Sequence, residues 1–142
     1  MKTKERRRAS GMLLPVLLVT MSLLTLNLVT IQVNGAESIW NMTYGGENPD
    51  VARSVQQTSD GGYIAAGFTE SSGAGLADFW LVKTNASGGM LWNKTYGGGS
   101  TDEAYSVRQT SDGGYIVAGF TRSFGLDNAD FWVVKTEVDG AV

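Results

Sequence analysis

A tandem repeat is the feature of this chain that most restricts its fold. Residues 39–90 and 91–142 align without a gap, with a period of 52 residues, and 32 of the 52 aligned positions are identical. Repeats of this length are typical of solenoids, propellers and other arrays, in which each unit packs against a similar neighbour. The repeat therefore predicts two modules with equivalent structures.

Each repeat has the pattern of four short β-strands separated by turns. In IWNMTY (39–44) and LWNKTY (91–96) successive side chains face opposite sides, as expected of strands. Ser-Asp-Gly-Gly marks a tight turn in each repeat, since Asp favours turns and Gly accepts positive φ. The other predicted strands, rich in β-branched and aromatic residues, are 52–58, 63–69 and 79–84 in the first repeat and 104–110, 115–121 and 131–136 in the second.

No segment after residue 38 has a helical period with caps, so the predicted fold class is all-β. Four antiparallel strands per repeat match one blade of a β-propeller, and the prediction is two four-stranded blades of an incomplete propeller. A β-sandwich of eight strands and a β-solenoid are the alternatives. Near-identical repeats favour the propeller, because radial stacking gives each repeat an equivalent environment.

The repeat also resembles a known family. The motif DGGYIxAGFT, the strand DFWxVKT and the following WNxTYGG are similar to the SBBP-type β-propeller repeat, a relative of the WD40 and kelch patterns. The resemblance covers residues 39–142 and implies an exported or cell-surface protein of archaea or bacteria. It implies nothing about a ligand, because propellers carry many functions.

The resemblance further implies an order of strands, with 52–58 innermost and 91–96 outermost in one blade. The second repeat then supplies three strands, and residues 39–44 have the sequence of an outer strand with no blade before them. Propellers typically carry four to eight blades, so two blades do not close a ring. Two explanations stay open: several chains assemble, or the chain is a fragment of a longer repeat protein.

The amino-terminal segment, residues 1–36, predicts export. Five basic residues precede residue 9, and no charged residue occurs from Ala9 to Ala36, where two apolar stretches follow each other. This pattern is typical of a signal peptide, or of a membrane anchor if the segment is not cleaved. Residues 37–142 would then lie outside the cytoplasm, at the cell surface or secreted.

Composition excludes several classes of function. The chain has no Cys and no His, which excludes disulfides, thiolate or imidazole metal sites, and the usual Ser or Cys triads. From residue 36 onward there are six basic and thirteen acidic residues, a formal charge of −7 that disfavours nucleic acid as a partner. The repeats also lack a carboxylate pair or a nucleophile beside a base, so no enzyme, no cofactor and no metal are expected.

Several motifs are candidates for sites. Asn41, Asn85 and Asn93 begin glycosylation sequons, which gain weight after an export segment. Indole rings bind the apolar faces of sugars, so the four Trp residues are a possible aromatic contact surface, although packing between blades is the favoured interpretation. These residues are Trp40, Trp80, Trp92 and Trp132.

The remaining motifs have structural explanations. Asp60 and Asp112 lie in a partial Asp-box that lacks its closing Trp, which indicates a turn. Residues 127–130 have oxygen ligands but not the spacing of a calcium loop. Gly73-Ala74-Gly75 is followed by no helix and so is not a dinucleotide motif.

The sequence as a whole thus predicts a non-enzymatic, exported β-propeller scaffold that contacts a protein or a glycan. The alternative is a fragment of a larger surface protein, S-layer-like protein or glycosidase-like propeller whose functional residues lie elsewhere. The ligand stays undetermined.

Overall fold

A computed structural model describes residues 39–126 and 128–142. This part of the chain contains seven β-strands and no helix, which confirms the all-β fold class. The strands are β1 (Asp50–Gln57), β2 (Tyr63–Thr69), β3 (Asp78–Thr84), β4 (Met90–Tyr96), β5 (Asp102–Gln109), β6 (Tyr115–Thr121) and β7 (Asp130–Thr136).

The strands form two antiparallel sheets in which neighbours in sequence are neighbours in space. The first sheet has the order β1-β2-β3-β4, and the second sheet has the order β5-β6-β7. The order in the first sheet agrees with the one that the resemblance implies. Because β4 belongs to the second sequence repeat, the first sheet takes its last strand from the next repeat.

Two predictions about strands are wrong. Residues 39–44 were expected to be a strand, but they pair with no other strand among the described residues. The second sheet was expected to be a four-stranded blade, but it has three strands, the number that the resemblance implied the second repeat supplies. One cause explains both: a strand needs a neighbour to accept its backbone hydrogen bonds, and the described residues supply none for 39–44 or for the outer edge of β7.

The two sheets repeat each other in register as well as in sequence. Gly67 pairs with Ala52 in the first sheet, and Gly119 pairs with Ala104 in the second. A one-residue shift in each sheet leaves one extra residue, Arg53 in β1 and Tyr105 in β5. Such β-bulges turn the side chain of the extra residue and increase the local twist.

The turn between the first two strands of each sheet is fixed by an Asp. Oδ1 of Asp60 accepts hydrogen bonds from Oγ1 of Thr58 at 2.5 Å and from the backbone N of Gly62 at 3.0 Å. Gly61 has φ of 82°, a conformation that other residues rarely adopt. Asp112 makes the equivalent bonds in the second sheet. The expectation of a tight turn at Ser-Asp-Gly-Gly agrees with this geometry.

The hydrophobic core lies between the two sheets, which pack face to face. Side chains of alternate residues point to opposite faces of a strand, so one face of the first sheet meets one face of the second. The fully or nearly fully buried members of this core are Ile64, Ala66, Phe79 and Leu81 from the first sheet and Ala104, Val107, Tyr115, Val117 and Val134 from the second.

The chain divides into two units, Met1–Glu37 and Ser38–Val142. The predicted export segment, residues 1–36, lies outside the described residues. Within the described ranges, no helix is long and apolar enough to cross a membrane.

Candidate functional site

The two sheets pack against each other, and the contact between them is called the junction. The ring of Phe79 from the first sheet packs on the indole of Trp132 from the second, with 4.6 Å between ring centroids. Trp92 of β4 reaches across to Tyr115, with 5.8 Å between centroids. Aromatic pairs in such tilted arrangements stabilise a core beyond their area of burial. The junction is therefore an apolar, aromatic contact between two similar sheets.

Polar contacts fix the alignment of the two sheets at the junction. The backbone N of Val107 donates to Oγ of Ser54 at 3.3 Å, and the backbone N of Gln109 donates to Oε1 of Gln56 at 2.8 Å. These bonds join β5 to β1, the strands that begin each sheet. Hydrogen bonds of this kind satisfy backbone donors that face the neighbouring sheet.

The bulge residues also meet at the junction. The guanidinium of Arg53 lies 5.3 Å from the ring centroid of Tyr105 and 5.6 Å from that of Phe68. Its Nη2 is 3.2 Å from Oε2 of Glu103. A cation above aromatic faces is attracted by their quadrupoles. Arg53 therefore links the two sheets through both its charge and its stacking.

A buried carboxylate organises the loop before β5. Asp102 accepts hydrogen bonds from the backbone N of Gly98 at 2.9 Å, from Oγ of Ser123 at 2.6 Å and from the Thr121 hydroxyl. Burial raises the pKa of Asp102, but these hydrogen bonds together lower it more, so the pKa lies below its ordinary value. Asp50 has an equivalent set of bonds and a pKa lowered for the same reasons.

Asp78 from the first sheet lies close to this loop. Its Oδ2 accepts from the backbone N of Ala74 at 2.8 Å, and its Oδ1 is buried without a hydrogen-bond partner among the described residues. A Cβ at Gly97 would clash with Asp78 and would lie 2.7 Å from Oδ2 of Asp102. Glycine at position 97 thus allows the two carboxylates to approach the same stretch of backbone.

Asp78 and Asp102 are two carboxylates beside one stretch of backbone. Across residues 39–126 and 128–142, no group of three or more acidic side chains could hold a metal ion. Asp130 is half-buried, and Asp127, the other acidic residue of the calcium-like loop, is outside the described residues.

Each sheet has a second face, called its free face, that no other sheet covers among residues 39–126 and 128–142. On the second sheet, Phe131 and Val133 are 82% and 46% exposed, whereas their equivalents Phe79 and Leu81 in the first sheet are fully buried in the junction. On the first sheet, Val55 is 63% exposed, whereas its equivalent Val107 is fully buried. The two free faces therefore carry the equivalents, one repeat apart, of residues in the two faces that form the junction.

Residues 39–44 lie along the free face of the first sheet. Nε1 of Trp40 donates to the backbone O of Ala86 at 2.9 Å, and its ring lies 5.7 Å from that of Tyr63. The Tyr44 hydroxyl donates to the backbone O of Gly88. Trp92 and Tyr96 of β4 lie against the second sheet in the same way. These residues therefore occupy, on the first sheet, the position that β4 occupies on the second.

Two clefts open beside these outer segments. One, of about 250 Å³, is lined by Tyr44, Trp80 and Val82, and the other, of about 360 Å³, is lined by Tyr96, Trp132 and Val134. These three lining residues are equivalent one repeat apart, whereas the rest of each lining differs. Apolar, aromatic clefts can accept the apolar face of a sugar or a side chain of a partner protein. Trp80 and Trp132 are thus brought to clefts, whereas Trp40 and Trp92 pack over turns.

The candidate glycosylation residues are all exposed, but they differ in their bonds. Oδ1 of Asn85 accepts from the backbone N of Ser87 at 3.0 Å and of Gly89 at 2.8 Å, which fixes a turn. Asn93 accepts from Nε1 of Trp80 at 3.3 Å. Asn41 lies in the segment along the first sheet.

Two ion pairs stand beside the Asp-fixed turns. Nζ of Lys83 lies 2.8 Å from Oδ2 of Asp60, and Nζ of Lys135 lies 2.8 Å from Oδ2 of Asp112. The hydrogen bond from each Lys, followed by that from Thr58 or Thr110, holds the pKa of each Asp well below its ordinary value. Both carboxylates therefore stay ionised and engaged in structural bonds.

Some junction residues were not identified from the sequence. Asp50 and Asp102 are identical one repeat apart, and this identity before a predicted strand was the signal that could have marked them. Arg53 and Tyr105 differ between the repeats, so their stacking follows only from the bulge that turns them toward each other.

The chain was compared with protein-family models and with curated proteins. No family model matches the chain, and no curated protein matches it.

Proposed function

We propose that the chain is an exported, non-enzymatic repeat scaffold of the cell surface, whose two sheets are neighbouring blades of an SBBP-type β-propeller. The observation that carries this proposal is the junction. Two sheets of similar sequence stack face to face, and the face that each sheet leaves free is the equivalent of the face that the other sheet uses in the contact. In a propeller each blade packs one face against the preceding blade and its opposite face against the following blade, so similar sheets meet through opposite faces.

The state of the charged side chains supports a scaffold rather than an enzyme. Asp60 and Asp112 fix turns and bind Lys, and Asp50 and Asp102 fix loops through several hydrogen bonds each. A general acid or base needs a pKa raised toward neutrality, and these four pKa values are lowered instead. Their chemistry is that of structural carboxylates.

The proposed location rests on the amino-terminal sequence. A basic start followed by a long uncharged apolar segment directs export, and the acidic body that follows would face the cell exterior. The test is protease accessibility of the full chain with a carboxyl-terminal epitope tag in intact cells. We expect the tag to be digested in intact cells, while a cytoplasmic marker protein survives until lysis.

A charge-reversed variant provides the matched control. Replacing Arg6, Arg7 and Arg8 by Glu removes most of the basic start while leaving the apolar segment and the repeats unchanged. We expect this variant to lose surface exposure of the tag. A tag on the parent chain that resists protease until lysis would contradict the proposed location.

The clefts favour a contact function for the scaffold. The cleft beside Trp132 and the cleft beside Trp80 each expose an indole ring, which suits contact with the apolar face of a sugar. A glycan array probed with the parent chain and with Trp132→Ala tests this. Binding that the variant loses would support glycan contact, whereas no binding above background would leave protein contact as the function.

A further inference from the structure

We propose that two copies of this chain associate head to tail, so that residues 39–44 of one copy complete the second sheet of the other. In this arrangement residues 39–44 add to the outer edge of β7, and the free face of one copy's first sheet stacks on the free face of the other copy's second sheet. The proposal deepens the proposed function, on whose stacked-blade arrangement it rests, and names a second copy as the partner.

The register of the new pairing follows from β3 and β4. In the first sheet Phe79 pairs with Tyr96, and Leu81 pairs with Lys94. Shifted by one repeat, the same register pairs Phe131 with Tyr44 and Val133 with Met42 of the second copy. β7 has no neighbour on this edge among the described residues, so its backbone groups are available for the ladder.

The segment that would add is already held in position. Trp40 and Tyr44 donate hydrogen bonds to the backbone of Ala86 and Gly88 in their own copy. Their equivalents, Trp92 and Tyr96, contact the second sheet in the same way. Tyr63, which contacts Trp40, and Ile64, which lies in the junction core, point to opposite faces of β2. The first sheet therefore separates residues 39–44 from the second sheet of their own chain, and a second copy is the partner that can supply a β7 edge.

The two free faces carry the equivalents of residues that lie together in the junction core. Docking would cover Phe131 and Val133 of one copy with the surface around Val55 of the other. These are the equivalents of Phe79, Leu81 and Val107, whose packing against each other is seen in the junction. Burial of exposed apolar surface is the main favourable term in protein association.

Two of the junction contacts described above have equivalents in the new contact. The bond from the backbone N of Val107 to Ser54 becomes one from Val55 of the second copy to Ser106, because both repeats have Ser at this position. The stacking of Arg53 on Tyr105 is also kept, with Arg53 supplied by the second copy and Tyr105 by the first. Two contacts are lost. The hydrogen-bond acceptor Gln56 is replaced by its equivalent Arg108, and the ion-pair partner Glu103 is replaced by its equivalent Val51.

The loop that precedes β1, which contains Gly45, has a conformation compatible with this contact. Asp50 binds the backbone N of Gly46 at 2.8 Å and Oγ of Ser71 at 2.8 Å, as Asp102 binds its own loop. Gly45 is the equivalent of Gly97, whose missing side chain leaves room for Asp78 of the first sheet. The same space beside Gly45 would accept Asp130 of the other copy. A head-to-tail contact of this kind joins unlike surfaces and produces rings if the rotation closes and filaments if it does not.

The absence of Cys from the chain permits a direct test by disulfide cross-linking. Two full-length single variants, Met42→Cys and Val133→Cys, carry tags of different size, are mixed in detergent and are oxidised. Residues paired across antiparallel strands have Cβ atoms about 5 Å apart, close enough for a disulfide after small adjustment. We expect a mixed disulfide between the two variants, identified on a non-reducing gel and by mass spectrometry of the linked peptides.

Thr43→Cys is the matched control, because Thr43 is exposed and adjacent to Met42, and in the proposed strand its side chain would point to the opposite face. We expect Met42→Cys to give about tenfold more mixed disulfide with Val133→Cys than Thr43→Cys gives. Equal yields from the two variants would overturn the proposed pairing.

Molar mass in solution provides the second measurement. We expect the full chain in detergent to exceed the mass of one copy, and Val133→Lys to reduce it to one copy, while Val138→Lys, an exposed change in the turn after β7, leaves it unchanged. A parent chain that stays at one copy at all concentrations would overturn the proposal, and its free faces would then belong to another partner. The surface-exposure test is independent of both measurements, so failure of the proposed function can be distinguished from failure of this association.

Discussion

Phe79 is fully buried in the junction, whereas Phe131, the same residue one repeat later in the same strand position, is 82% exposed. Both side chains project from the third strand of their sheet toward the following sheet position. The difference between them is the presence or absence of a covering sheet. The exposed fraction of this ring therefore depends on whether a second sheet covers it.

Alanine substitutions at these two positions are expected to have very different effects. Phe79→Ala creates a cavity in the core and should lower the free energy of unfolding by about 3–5 kcal/mol. Phe131→Ala removes an exposed ring and should change it by less than about 0.5 kcal/mol in dilute solution. Denaturant unfolding of the two variants at the same low protein concentration makes the comparison. Equal losses would show that the ring of Phe131 is buried even in the isolated chain.

The two Lys–Asp pairs predict a second difference. Lys83 is buried, whereas Lys135 is 46% exposed, although each binds its Asp at the same distance. Asp60→Asn keeps the turn acceptor but leaves the Lys83 charge buried without its partner, so it should lower the free energy of unfolding by about 1–3 kcal/mol. Asp112→Asn should have a smaller effect, because water solvates Lys135. Chemical denaturation at neutral pH checks this, and the reverse order would contradict the burial of Lys83.

Glycine at position 97 predicts a local steric requirement. Gly97→Ala should destabilise the protein by about 1–3 kcal/mol, because its Cβ would clash with the Asp78 carboxylate. Gly99→Ala, two residues later in the same loop, meets no atom within 4 Å and should be neutral or slightly stabilising. Thermal unfolding of both variants tests the pair. A harmless Gly97→Ala would mean that Asp78 and the loop lie further apart.

Stability is expected to fall in acid. The pKa of Asp50 and of Asp102 is lower in the folded protein than the value of about 3.9 in an unfolded chain, so the unfolded state binds more protons as pH falls. The stabilisation is fully present above about pH 5 and is lost as the pH drops through the folded values. Melting temperature should therefore decrease below about pH 4.

Asp102→Asn provides the control for this pH dependence. The variant cannot ionise at this position, so its melting temperature should be lower at pH 7 and should decrease less steeply toward pH 3 than that of the parent chain. A parallel curve displaced by a constant amount would show that Asp102 does not contribute to the acid response.

The sequence allowed the fold class, the strand positions after residue 50 and the order in the first sheet to be predicted. Alternation of apolar residues and the Asp-Gly turns depend on local chemistry, which can be read from neighbouring positions. The strand at 39–44 was predicted on the same evidence, and wrongly, because its pattern is that of β4. A pattern shows which residues can form a strand, but a strand also needs a partner.

The candidate surfaces could be predicted less well. Trp80 and Trp132 were identified as possible contact residues, but the clefts that contain them depend on which face each sheet covers. The stacking of Arg53 on Tyr105 depends on a bulge in each sheet, which shifts the register by one residue. Contacts of this kind arise from packing between sheets, and the residue pattern of a single strand does not contain them.

The sharing of β4 between a sequence repeat and the preceding sheet affects how such a protein lengthens. The 52-residue repeat begins with the strand that becomes the last strand of the preceding sheet. Each additional repeat therefore completes the sheet before it and adds a new sheet that ends in an unpaired edge strand. Insertion or deletion of whole segments at any point thus preserves every internal sheet. The open edge of β7 and the unpaired residues 39–44 are untouched by such changes between the sheets.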